Sequence, residues 1–370
     1  PAEFTLRRLF TFQGTTQASA LTGGAQLALN PGSAIEISGD TATVNLAPSA
    51  LLLDNQERYL VARAIANTLT QWGDVRYVNL LINHRQPGVD TAATLPLGSL
   101  GRTEDGDVAA LWQAASKAPP SPDSPYSFMA TLYYPVSAGR GIVSETQLLT
   151  AQGRGLQQLA MALLEGLSVP PAMLPASPKV PDLALLLEQP LEVVEPAGST
   201  GRVIKLAFRE RLNEELIAAG IPRSVMMASL TYTLTTFLPY TAGITVTIGN
   251  EQIGALVPSG LYEGAGEQIL FTNGLMQRPQ FSRFLLDYCT LYFMNGQGSL
   301  SATKRAIPYH QVYNPRYLLG QLMLGPQNTD SVPGLMPVLP AELNDADLLG
   351  ITRQNETALV NLSGRLKTLA

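Results

Sequence analysis

Apolar positions along the chain follow two rhythms, one helical and one alternating, and their order recurs. From Asp54 the rhythm is helical: Val61, Ile65, Leu69 and Trp72 share one face, Asp54 and Glu57 have capping-box spacing, and Gly73 predicts the end. Residues 75–82 then form a Val, Tyr and Leu run that predicts a strand, closed by a turn at Asn83, His84 and Arg85. The same order returns after Pro222. A helix carries Met226, Leu230, Leu234 and Phe237, and Gly243 leads into the strand ITVTIGN at 244–250. The match is local as well: NTLTQW aligns with YTLTTF, and the interval from Leu69 to Leu234 equals that from Trp72 to Phe237.

A second passage also recurs. TLYYPVSAGRGIV at 131–143 and TLYFMNGQGSL at 290–300 each read as a Tyr-rich strand with a Gly-containing turn. A helix follows in both. The earlier carries Leu156, Leu159, Ala160, Leu163 and Leu164 and ends at Gly166; the later carries Leu318, Leu319, Leu322 and Met323 and ends at Gly325-Pro326. Asn314 is placed to cap the later helix, with Pro315 at its first position. The interval from Leu132 to Leu291 equals that from Gly166 to Gly325, so strand and helix repeat in register. Each copy then runs through a loop rich in proline (Pro170, Pro171, Pro175, Pro178 and Pro181; Pro333, Pro337 and Pro340) into two strands. The second of these is RVIKLAF at 202–208 or TALVNL at 357–362, and TATVNLAPS at 41–49 is a third, early version.

These repeats predict an α+β fold of repeated modules, with helices packed on small mixed or antiparallel sheets. They divide the chain into an N-terminal segment 1–31, the second half of a module at 32–90, a linker 91–127, a complete module at 128–254, a linker 255–287, and the first half of a module at 288–370. Short helices are expected in the linkers at 108–115 and 281–288. The two half-modules are expected to pack together as one composite. In that composite Val61, Ile65 and Leu69 meet the helix at 318–323 or the strand of Leu359. The rival reading is that the chain stops inside a module.

The strings LYFMNGQGSLSATKRAIP, NPRYLLGQLMLGPQ, GLMPVLPAEL and LLGITRQNETALVNLS resemble the first part of a GerM domain, a sporulation and germination module. ATVNLAPS and NQERYLVARAIANTLTQWGDVRYVNLLINHRQPG resemble its closing part. The middle copy departs from the pattern, with Lys205-Leu206-Ala207-Phe208 in place of Asn-Leu-Ser and Pro239-Tyr240-Thr241 before its strand. The resemblance implies an extracytoplasmic bacterial cell-envelope protein, of lipoprotein or membrane-anchored type, and a non-catalytic role. Such modules resemble ring-building motifs, so the implied partners are envelope proteins or further copies in a scaffold. An envelope-polymer binder, peptidoglycan for example, is the alternative, and an enzyme with an unrecognised site is the third reading. The chain opens at Pro1 with no signal peptide in view, so the membrane is expected only through an anchor outside it.

Composition narrows the chemistry. At 45% hydrophobic and 14% charged residues the chain is globular, and a net charge of −5 without a basic block gives no footprint for nucleic acid. No apolar run reaches the length that spans a bilayer. The lone Cys289, in an apolar run, reads as a small buried hydrophobe. His84 and His310 occupy non-equivalent loop positions, which favours exposed histidines over a shared metal or acid–base site. Glu214 and Glu215 follow Arg209, Glu210 and Arg211 in a charge-alternating segment, read as solvated surface. YEGAGEQ and SAGRG lack the Lys-Ser/Thr pair of a phosphate loop and read as turns, and the sequons at Asn355 and Asn361 carry no information in a bacterial chain. No catalytic, cofactor-binding or metal-ligating residue is predicted, and no cofactor.

Overall fold

The structure, a computed structural model, describes residues 2–15, 21, 27–33, 35–38, 40–71, 75–87, 97–102, 125–136, 140–172, 174, 177–196, 201–238, 240–259, 261, 266–355 and 357–369. In the first unit, α1 (Ala2–Phe10) buries Leu6 and Phe10 and lies against the later helix α2. Strands β1 (Glu36–Ser38) and β2 (Thr41–Leu46) pair antiparallel. Asp54 then caps α2 (Asn55–Leu69). Its carboxylate accepts from the Glu57 N–H while the Glu57 carboxylate accepts from the Asp54 N–H, which satisfies two donors at the helix start. The helix crosses to β3 (Tyr77–Ile82), which runs parallel to β2, and β4 (Ser99–Gly101) adds an antiparallel edge.

The second unit opens with a hairpin of β5 (Tyr126–Pro135) and β6 (Ile142–Ala151), followed by α3 (Leu156–Leu167). Strands β7 (Glu192–Val194) and β8 (Arg202–Phe208) lead through α4 (Arg211–Ala218) and α5 (Arg223–Phe237) to β9 (Thr241–Ile248) and β10 (Glu251–Gln252). Its sheet order β7-β8-β9-β10 repeats β1-β2-β3-β4 step for step: antiparallel, parallel, antiparallel. In each sheet a 15-residue helix makes the parallel crossover. Helix α5 is buried on every side except at Arg223, because it is clasped between its own sheet and the β5–β6 hairpin.

Short strands β11 (Ala255–Leu256) and β12 (Ile269–Leu270) and a 3-10 turn over Arg278–Phe284 lead to the third unit. There β13 (Leu286–Met294) and β14 (Leu300–Pro308) form a hairpin. Helix α6 (Pro315–Met323) is capped by the Asn314 side chain, which accepts from the N–H groups of Arg316 and Tyr317. Strands β15 (Leu348–Gln354) and β16 (Thr357–Leu362) pair antiparallel, and α7 (Leu366–Leu369) follows. The fold is α+β, with several small sheets in repeated arrangements.

Several expectations are corrected. Each Tyr-rich strand is half of a hairpin, and the second strands β6 and β14 carry enough polar residues to hide among turns. The charge-alternating segment is helix α4, held down by Leu212 and Leu216 one turn apart. Gly166 lies inside α3, whose cap is Ser168; a Cβ there would stand 2.7 Å from Leu149 Cδ2, so this glycine permits close packing. The expected helix at 281–288 is the end of a 3-10 turn and the start of β13. The one at 108–115 lies outside the described residues, as do Trp72 and Gly73.

The composite module is also corrected. Val61, Ile65 and Leu69 belong to the main core, with Leu132, Leu163 and Leu230. Leu318 and Leu322 pack against a separate small core of Cys289, Leu291, Phe293 and Ile307, and Leu359 is 46% exposed. The reason is topological: the place beside β3 is filled by β2, the strand that precedes its own crossover helix. The third unit instead joins the body through a patch of Val136, Val143 and Leu286 and a parallel bridge from Ile142 to Leu285. Gly141 (φ +132°) serves that join, since a Cβ there would lie 2.4 Å from the Phe284 carbonyl oxygen.

Candidate functional site

Two features stand out once the units are in place. The first is a cleft of about 470 Å³ where all three meet, walled by Arg76 and Tyr77 from the first unit, Ser144 from the second, and Asp287, Tyr309 and Tyr313 from the third. Its inner wall is set by the chain entering β3. The N–H groups of Arg76 and Tyr77 both donate to the Asp40 carbonyl, which turns the Arg76 side chain inward until it is 6% exposed. Its guanidinium lies 4.1 Å from the ring centroid of Tyr309, 5.4 Å from that of Tyr77 and 5.9 Å from that of Tyr133. Nη2 donates to the Ser144 hydroxyl at 3.3 Å.

The rest of the cluster is not satisfied by the described residues. Among the described residues, Arg76 Nη1 and the hydroxyls of Tyr77 and Tyr133 are buried without a hydrogen-bond partner. The two phenols and Ser144 are neighbours that fall short of hydrogen-bond geometry with one another. Asp40 is the carboxylate that acts on both phenols; its Oδ1 is 3.4 Å from Arg278 Nη1, and among the described residues Oδ2 has no hydrogen-bond partner. Arg278 also donates to the Thr41 hydroxyl at 2.7 Å, and its carbonyl accepts from Tyr232 at 3.1 Å. Burial raises the phenols of Tyr77 and Tyr133 above their ordinary range. It pushes Tyr288 and Tyr309 up to about 12, against the pull of Arg76 in the case of Tyr309. All four therefore remain hydrogen-bond donors at neutral pH, and Arg76 remains a cation.

The second feature is the open side of the third unit. Val360 of β16 matches Val44 of β2 and Ile204 of β8 in the repeat. Val44 and Ile204 are 0% exposed, under the crossover helix and beside the parallel strand; Val360 is 46% exposed. Among the described residues β16 pairs only with β15, so its other edge presents unpaired backbone. Leu349 and Leu359 are also exposed, Leu359 on the opposite face of the strand from Val360.

None of the histidines, the cysteine or the glutamate pair weighed from sequence lines the cleft, although His310 adjoins Tyr309 and Cys289 lies between Tyr288 and Thr290, and Asn361 is on β16. His84 occupies a left-handed turn (φ 63°), with its N–H donating to Asn45 Oδ1 and its Nδ1 3.0 Å from Asn45 Nδ2. His310 is exposed in a 3-10 turn beside Tyr309. Glu215 pairs with Arg211 on the outer face of α4, and Asn213 donates to Glu210. Cys289 is buried on β13, and that burial raises its thiol pKa. Residues 262–265 of YEGAGEQ and 137–139 of SAGRG lie outside the described residues. Among the described residues no group of three or more His, Cys, Asp or Glu could hold a metal ion, and no helix is long and apolar enough to cross a membrane. Arg76, Tyr77 and Tyr309 were missed. The signals for them were a charged residue opening an otherwise apolar strand, and a tyrosine next to a histidine that drew the attention instead.

No protein-family model matches the chain, and no curated protein matches it. Among solved structures it is similar to the tandem GerMN domains of the sporulation protein GerM from Bacillus subtilis. The identity is 14%, over 75% of this chain and 89% of that one, with a TM-score of 0.26. At that score the likeness carries no argument, and the α+β class stands on the elements described above.

Proposed function

We propose that the chain is a non-catalytic protein-binding and assembly protein, and that a second copy docks on the open edge of β16. The observation that carries this reading is the contrast between Val360, exposed, and its repeat equivalents Val44 and Ile204, fully covered. A strand edge flanked by apolar side chains is a template for pairing with another chain. TALVNL contains no charged residue, so two copies meeting edge to edge bring no like charges together, and the pairing buries the same row on both sides. The bacterial cell-envelope setting, extracytoplasmic and anchored by a segment outside these residues, belongs to the same proposal and rests on the sequence resemblance alone.

Sedimentation velocity over a concentration series tests it. The chain is expected to associate reversibly, and Val360→Lys on the exposed face is expected to return it to monomer. A chain that stays monomeric at high concentration contradicts the reading, as does an oligomer indifferent to Val360→Lys.

A further inference from the structure

We infer that the three-unit cleft at Arg76 is a binding site for a small polyhydroxylated oxyanion, a sugar acid or a sugar phosphate. Two donors of its wall, Arg76 Nη1 and Tyr77 OH, have no hydrogen-bond partner among the described residues, and Tyr133 OH, on the ring packed against both side chains, is a third. All three side chains are more than nine-tenths buried. An orphaned buried donor is costly, and several in one place mark a group that is missing. Arg76 has no carboxylate within ion-pair distance among the described residues, and Asp287 acts on it only from farther away. A cation held in that state by Tyr309 and Ser144 is built to accept an oxyanion.

The remainder of the wall selects what carries the oxyanion. Hydroxyls of Thr131, Ser144, Thr146 and Thr290 and the ring of Tyr313 line the cleft, where the cations Arg102 and Lys304 balance the carboxylates Glu145 and Asp287. Hydroxyl groups matched by a tyrosine face suit a sugar ring, which offers donors and acceptors at its rim and C–H groups on its faces. A volume of about 470 Å³ falls in the range of small-molecule pockets, and a junction between units is where such pockets form.

Calorimetric titration of the full chain with glucuronate, glucose 6-phosphate, glucose and inorganic phosphate tests the inference. One of the two sugar oxyanions is expected to bind one to one, with glucose about tenfold weaker because it leaves the Arg76 donors unpaired. Tighter binding of glucuronate assigns a sugar acid, and tighter binding of glucose 6-phosphate a sugar phosphate. Arg76→Gln is expected to abolish binding. Since a buried substitution can impair folding, Tyr313→Ala provides the second test: Tyr313 is 66% exposed, and its loss is expected to weaken binding about threefold while the chain stays folded. Inorganic phosphate binding as tightly as glucose 6-phosphate means an adventitious ion only and overturns the inference. So does the absence of heat from both sugar oxyanions at millimolar concentration, or undiminished binding by Tyr313→Ala.

Discussion

The Arg76 guanidinium stacks on the ring of Tyr309 with 4.1 Å between its carbon and the ring centroid, and this contact ties the first unit to the third. A cation–π pair away from water contributes about 2 kcal/mol. Tyr309→Ala is expected to remove that and some packing, while Tyr309→Phe keeps the ring and stays within ~0.5 kcal/mol of wild type. Denaturant unfolding of the two variants checks this, and equal destabilisation by both means the hydroxyl, not the ring, matters.

The third unit has its own electrostatic staple. Arg305 makes a two-pronged pair with Asp330, 2.7 Å on each arm, and donates to the carbonyls of Gln321 and Gly325, with both charged side chains almost fully buried. Asp330→Ala leaves an uncompensated buried cation and is expected to cost about 3–5 kcal/mol. Because this core is separate from the main one, hydrogen exchange should accelerate in β14 and α6 while α5 keeps its protection. Uniform acceleration across the chain contradicts the separation.

Helix α5 substitutes for a strand along the edge of β5. The Ser229 hydroxyl donates to the Tyr133 carbonyl at 2.5 Å, and one turn later Thr233 Oγ1 accepts from the Tyr133 N–H at 3.0 Å. Thr233→Val keeps the shape and orphans that N–H, at an expected cost of ~1–3 kcal/mol, whereas Thr233→Ser retains the acceptor. Chemical denaturation of the pair reads the difference.

Alkaline pH should loosen the inter-unit cleft before neutral pH changes anything. Burial pushes Tyr288 and Tyr309 up to about 12, whereas a phenol in the unfolded chain titrates near ~10. The folded state therefore holds protons that the unfolded state has lost over that window. The contribution of these two phenols to stability is expected to be level below pH ~10 and to fall as pH rises from there toward about 12, where the folded phenols ionise. Unfolding measured below and within that window, with tyrosinate absorbance alongside, checks both the direction and the range.

The repeats were legible because their periodicity is local. The capping box at Asp54 and Glu57, the Asn314 cap, and the faces of α2 and α5 each lie within a few turns of chain. Strands β6 and β14 were not legible, since polar residues such as Glu145 and Lys304 on them resemble loop sequence. The Arg76 site was out of reach for a different reason. Its donors come from Arg76, Tyr77 and Tyr133, its stacking ring from Tyr309, and no short window contains them together. The expected composite failed for a third: sequence equivalence of β2 and β16 shows that both fit beside a strand such as β3, but not which of them is there.

Hydrogen exchange of the β16 amides, followed in dilute and in concentrated solution, tests the open edge most directly. The amides of Thr357–Leu362 that do not pair with β15 are predicted to exchange quickly when dilute and to gain protection as concentration rises, with Val360→Lys removing the gain. Exchange that is equally fast at every concentration would contradict assembly through this edge.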